Sequence, residues 1–156
     1  MAKTNEIATP NFDSINPRLC VNARLRRLHR MINTAYQQKI QPFGLRGSML
    51  SILFIIGKNP GINQKSLADM LVLDASTMSR DIKKMKEKGW LLIQKAEDNR
   101  NSFLSLSKEG YQLVEEVAPV WEKLHTKVEQ LLGAFNLQQI DSMTEAIRLN
   151  LDEIKA

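Results

Sequence analysis

Apolar residues recur along this chain at spacings of three and four, then briefly at two, then at three and four again. Leu19, Val21, Leu25, Leu28, Ile32, Ala35 and Ile40 predict a first helix. It is entered at Pro17, whose missing N–H suits a first turn, and stopped by Pro42 and Gly44. A second helix, from about Gly47 to Lys58, is strongly apolar through Leu50, Leu53, Phe54 and Ile56 and is expected to be buried. Asn59-Pro60-Gly61 reads as a turn. Asn63 caps a short third helix over Gln64–Leu71, with Leu67, Ala68 and Leu71 facing inward. Asp74 caps a fourth, in which Met78, Ile82 and Met85 form one buried stripe and Gly89 takes the position just past the end.

The period then changes to two. Trp90–Lys95 and Ser102–Leu106 read as strands joined by a polar tip. Ser107 caps a long fifth helix marked by Leu113, Val117, Trp121, Leu124, Val128 and Leu132, and Pro119 is expected to kink it. Gly133 to Asn136 interrupts the pattern, and Leu137, Ile140, Met143, Ile147, Leu151 and Ile154 mark a last helix. The predicted fold is mainly α with a small β-hairpin wing, a winged helix-turn-helix plus a helical dimerisation region. Residues 1–16 are polar and aperiodic and read as a flexible arm. Residues 17–42 form a dimerisation helix, 46–110 the winged unit and 111–156 the C-terminal dimerisation helices. The flanking helices carry wide apolar faces, which need each other or a second copy for burial.

Composition narrows the classes. Hydrophobic residues at 43% and charged residues at 25% are those of an ordinary globular chain. Neither a membrane-spanning run nor a secretory leader is visible, so a cytoplasmic protein is expected. A single cysteine, Cys20, rules out an intrachain disulfide and a cysteine-rich zinc site. The two histidines, His29 and His125, are too few for a metal constellation, and neither metal nor cofactor is expected. No nucleophile–base pair or phosphate-binding glycine loop suggests an enzyme. The net charge of +5 is uneven: residues 1–40 carry +5 and residues 111–156 carry −4. A basic portion opposed to an acidic end suits a polyanionic partner such as double-stranded DNA, and equally a solvated surface of uneven charge.

The fourth helix is where that partner would be read. Its outer face offers Ser76, Thr77, Ser79, Arg80, Lys83 and Lys84. Ser76 and Thr77 lie four and three residues before Arg80 and share its face. Arginine forks onto guanine O6 and N7, and hydroxyls reach bases or phosphates. Lys83 and Lys84 suit phosphates. At the hairpin tip Arg100 suits a minor groove, with Asp98 steadying it or the turn. The alternative is a winged-helix module that docks a protein and reads no DNA sequence; a face of Ser, Thr, Arg and Lys without aromatics argues against it.

Asp98-x-Arg100 followed by Phe103-Leu104-Ser105-Leu106-Ser107-x-x-Gly110 resembles the wing signature of the MarR family of bacterial transcription regulators. Asn63–Ala68, Asp74–Arg80 with Lys88-Gly89, and Leu25-Arg26-Arg27-x-x-Arg30 are similar to that family's third, recognition and dimerisation helices. The resemblance covers roughly residues 18–154. It implies a homodimer, a pseudo-palindromic operator, repression more often than activation, and release by a small aromatic or anionic effector or by thiol oxidation. By the same resemblance Arg26, Arg27, Arg30 and Trp121 are candidates for an effector cleft between base and wing. The arginines suit structural ion pairs better, and Trp121 suits packing in the base better. Cys20 stands where one branch of the family keeps a peroxide-sensing thiol. Arg24 and the helix start favour a thiolate there. That branch supports it with tyrosines, and Tyr36 is the only tyrosine in this helix. A small apolar role for Cys20 stays open beside it.

Overall fold

The computed structural model describes residues 9–95 and 102–155. They fall into two units, one ending at Ala35 and one beginning at Tyr36.

The first unit opens on a short helix, α1 (Pro10–Asp13), where the sequence suggested only a flexible arm. Proline starts it, and the Thr9 hydroxyl donates to the Asp13 carboxylate at 3.2 Å. The helix expected from Pro17 is divided. Pro17–Leu19 is a 3-10 turn capped by Asn16, whose Oδ1 accepts from the Arg18 N–H at 3.1 Å. Cys20 is extended (φ −61°, ψ 113°), so the α-helix proper, α2, runs Val21–Ile40. The local cap and the tighter turn consume the donors a continuous helix needs.

The second unit takes the end of α2 through a 3-10 turn, Gln41–Phe43, into α3 (Met49–Lys58), β1 (Ile62–Asn63) and α4 (Gln64–Leu71). Then come α5 (Ala75–Glu87), β2 (Leu91–Lys95), β3 (Ser102–Leu106), α6 (Lys108–Leu149) and α7 (Leu151–Lys155). The caps expected at Asn63, Asp74 and Ser107 all form. Each side chain accepts a backbone N–H two or three residues on.

The wing is more than a hairpin. β1 adds a third antiparallel strand in the order β1-β3-β2, with Ile62 opposite Leu104 and Asn63 opposite Phe103. Two residues are too few to show a period of two, so this strand leaves no trace in the sequence. Across the hairpin Leu91 faces Leu106 and Ile93 faces Leu104. Leu91, Leu104 and Leu106 are buried. They close on a core of Ile52, Leu53, Ile56, Leu67, Met78, Ile82, Met85 and Val117. The apolar stripes of α3, α4 and α5 are thus spent on one core.

Along α6 the backbone stays helical past Pro119. Its non-helical residue is Gly133 (φ 74°, ψ 153°), within the interruption expected at Gly133 to Asn136. Beyond that point Phe135, Met143 and Ile147 are exposed. Val21, Leu25, Leu28 and Met31 of α2 are exposed as well. Among the described residues no helix is long and apolar enough to cross a membrane.

Candidate nucleic-acid interface

α4 and α5 are joined by a tight turn at Val72, a β-branched residue in the left-handed region (φ 51°, ψ 42°). The Val72 and Leu73 N–H groups donate to the Asp69 and Ala68 carbonyls at 3.2 and 3.0 Å, which terminates α4. Asp74 then starts α5. Its Oδ1 accepts from the Thr77 N–H at 2.8 Å and from the Ser76 hydroxyl at 2.5 Å. These donors hold the Asp74 carboxyl well below its ordinary value, the Ser76 hydrogen bond first among them. A carboxylate at a helix N-terminus also complements the helix dipole.

With Met78, Ile82 and Met85 buried, the 100° step of the helix sets the opposite side. Ser76, Arg80, Lys83 and Glu87 lie along its middle. Thr77 and Lys84 occupy one flank, Ser79 and Lys86 the other. The Arg80 side chain folds back along this face, its Nε donating to the Ser76 carbonyl at 3.2 Å and a terminal nitrogen to the Thr77 hydroxyl at 3.1 Å. The structure therefore brings together the triad Ser76, Thr77 and Arg80 that the spacing predicted. Ser79 is exposed beside them. Lys83 makes a loose, exposed pair with Glu87 at 3.9 Å, worth little in water. Lys84 is half-buried on its flank.

Asp81, overlooked in the sequence, aims α5. Its Oδ2 accepts from the Ser48 hydroxyl, at the start of α3, at 2.6 Å. The partners lie 33 residues apart, so no local pattern pairs them.

The wing's rear anchor explains two motif residues. Ser107 Oγ donates to the Gly89 carbonyl at 2.6 Å and accepts from the Gly110 N–H at 2.9 Å. Gly110 lies so close to the start of β2 that a Cβ there would sit 2.2 Å from the Trp90 carbonyl oxygen. Serine and glycine three apart therefore clamp α6 against the end of α5 and the first wing strand. Asp98 and Arg100, the candidate minor-groove residues, lie outside the described residues.

Trp121 packs edge-on against Phe54 (centroids 5.3 Å apart) and stacks on His125 at 4.5 Å. His125 in turn lies 3.2 Å from Glu129. Burial, then the Glu129 charge, push the Tyr36 phenol up. In the first unit Arg26, Arg27 and Arg30 are exposed, and none joins an ion pair among the described residues. Cys20 is an exposed free thiol just before α2. Arg24 turns its Nε to the Arg18 carbonyl at 3.1 Å. No cluster of three or more His, Cys, Asp or Glu among the described residues is arranged to hold a metal.

A helix pair feeding a three-stranded wing, with a basic, hydroxyl-lined second helix, defines a winged helix-turn-helix protein. Residues 48–102 match the MarR family model. The chain is 28% identical over 124 residues to the uncharacterised HTH-type transcriptional regulator YwoH of Bacillus subtilis (strain 168), covering 80% of this chain and 88% of that one. It also matches Hpr regulators of Geobacillus thermodenitrificans and Bacillus cytotoxicus, but spans only about half their length. In fold it is similar to the M. tuberculosis regulator MOSR in complex with DNA, with a TM-score of 0.74 at 21% identity over 83% of this chain and 97% of that one. It is similar too to CouR from Rhodococcus jostii RHA1 bound to p-coumaroyl-CoA, with a TM-score of 0.70 at 21% identity over 83% and 92%. Over residues 48–102 the chain thus matches the MarR family, and its fold is that of solved regulators of that family.

Proposed function

We propose that this protein is a homodimeric repressor that reads a pseudo-palindromic operator with α5 in the major groove and yields it to a small aromatic or anionic effector. The observation that carries the reading is the outer face of α5, where Arg80 lies over Ser76 and Thr77. A guanidinium resting on neutral oxygens is held along the helix, and it exchanges those weak partners for guanine N7 and O6 at small cost. Ser79 and Lys83 flank it, Lys84 meets phosphate, and Arg100, steadied by Asp98, is assigned the minor groove. The exposed apolar residues of α2 and of α6 beyond Gly133 favour a second copy, since single exposed leucines need no explanation but whole helix faces do. Two copies place two recognition helices on half-sites about one helical turn apart.

For release, a ligand is favoured over thiol oxidation. The Arg24 Nε–H is engaged with the Arg18 carbonyl, and Cys20 is an exposed thiol outside α2. CouR is a fold relative whose structure holds an acyl-CoA. The protein would act where its DNA is, in the cytoplasm.

The test is selection of genomic fragments by the purified protein at near-physiological salt, followed by Arg80→Ala on the recovered site. One pseudo-palindrome is expected. Arg80→Ala should cost roughly 1–3 kcal/mol and relax specificity at one base step. Equal binding by wild type and variant would remove α5 as the reader.

A further inference from the structure

Beside the DNA-reading face, the second unit holds a cavity with three cations in its lining. It has a volume of about 640 Å³ and lies between the loop after α2 and the C-terminal half of α5. Arg46, Lys84 and Lys88 line it, with Gln41 beside them and buried Leu45 and Met49 beneath. Its one carboxylate, Glu87, is shared with Lys83. Neither Arg46, Lys84 nor Lys88 joins an ion pair among the described residues. The lining thus carries three positive charges against one negative.

Both walls are held in place. The Gly47 N–H donates to the Gln37 Oε1 at 3.2 Å, and Gln37 Nε2 donates back to the Gly47 carbonyl at 3.4 Å. Lys88 lies over the Trp90 ring at 4.8 Å, and its Nζ would be 3.1 Å from a Cβ on Gly44, whose φ of 74° already favours glycine. Lys88 is therefore held on an aromatic face beside a glycine turn, in the lining of the cavity. Three donors of fixed charge on two braced walls, and a surplus of two positive charges, match a dianion better than a single carboxylate.

We propose that this cavity binds a phosphate dianion through Arg46, Lys84 and Lys88. This rests on the reading of α5 as the DNA reader, because Lys84 belongs to both surfaces. A phosphate drawn into the cavity takes Lys84 from the flank of α5 that meets DNA. The phosphate has two sources: a small phosphorylated ligand, which would loosen the operator, or the backbone of the operator itself.

The experiment is an NMR titration of the full chain with inorganic phosphate in phosphate-free buffer, on wild type and on Arg46→Gln/Lys88→Gln. Both substituted side chains are exposed, so the fold is expected to persist, and the unchanged amide spectrum of α3 checks it. Saturable shifts at Gly44, Gly47 and Lys88, weakened roughly tenfold or more in the variant, are expected. Operator binding against salt then separates the sources. A salt slope reduced by about one per removed cation identifies the DNA backbone as donor of the phosphate. An unchanged slope, with phosphate weakening operator binding by wild type alone, identifies a free ligand. Absence of saturable shifts together with an unchanged slope overturns the proposal. Failure of the wild type to select any operator would instead remove the reading of α5, and the phosphate titration would stand on its own.

Discussion

The core of the winged unit and the far end of α6 are written in the same apolar code and end in opposite environments. Leu53, on α3, is fully buried among Ile52, Ile56, Leu67, Met85, Leu104 and Val117. Leu131, on α6, follows the same three-and-four spacing and is 86% exposed. Phe135, Met143 and Ile147 follow it, and Val21, Leu25 and Leu28 on α2 behave alike. Helical periodicity states that a face needs burial, and the hydrophobic effect is indifferent to which surface supplies it. In α3 the partner lies in the same chain. For the helical ends the proposed partner is a second copy.

The widest gap should appear between Leu53→Ala and Leu131→Ala. The first opens a cavity in a closed core and should cost about 2–5 kcal/mol in denaturant unfolding. The second, on the isolated chain, should fall within about 0.5 kcal/mol and instead weaken self-association, read by sedimentation at falling concentration. Equal losses of stability with unchanged association would erase the distinction drawn between the two regions.

Gly110→Ala sharpens the inner half of the comparison. The new methyl meets backbone at Trp90, which cannot swing aside as a side chain would. A loss of about 1–3 kcal/mol is expected, with β2 and the end of α5 disturbed together. A neutral result in thermal unfolding would mean that the wing moves freely against α6. Smaller, and opposite in sign, is Val72→Asn. Val72 is 84% exposed, so nothing buried is lost, and asparagine tolerates the left-handed backbone. A gain of up to about 1 kcal/mol in unfolding free energy is expected.

The smallest effect is acid-dependent. Asp74 is held below its ordinary value of 3.8 in the folded state by the Ser76 and Thr77 donors. Its contribution is present above that value and is lost as pH falls below it toward the folded one. Asp74→Asn keeps the cap but removes the charge, so the stability difference from wild type should be present at neutral pH and shrink in acid. A difference independent of pH would assign the cap to geometry alone.

The places where reading and structure part are instructive. The caps at Asn63, Asp74 and Ser107 were legible because a cap is satisfied within three residues of itself. The buried stripe Met78–Ile82–Met85 was legible too, and with it the outward position of Arg80. β1 was not, because its pairing with β3 joins positions some forty residues apart through backbone groups that every residue carries. The division of the first helix at Cys20 was hidden for a related reason: a 3-10 turn and an α-turn place the same apolar residues on similar sides. Lys88 and Arg46 drew no notice as a pair, since only the glycine turn after α2 brings the loop over Trp90 and makes a cavity between them.

By itself the sequence determined the order of elements, their caps, the inner and outer faces of the recognition helix and the winged helix-turn-helix class. Those follow from interactions that close within a turn or from a period that repeats along one element. The tertiary structure alone decided that the wing has three strands, that Ser48 and Asp81 aim α5, that Gly110 is required by the carbonyl of Trp90, and that three cations surround one cavity. Each of these depends on atoms distant in the chain meeting at hydrogen-bond or van der Waals range, and packing, with no local signature, sets that distance.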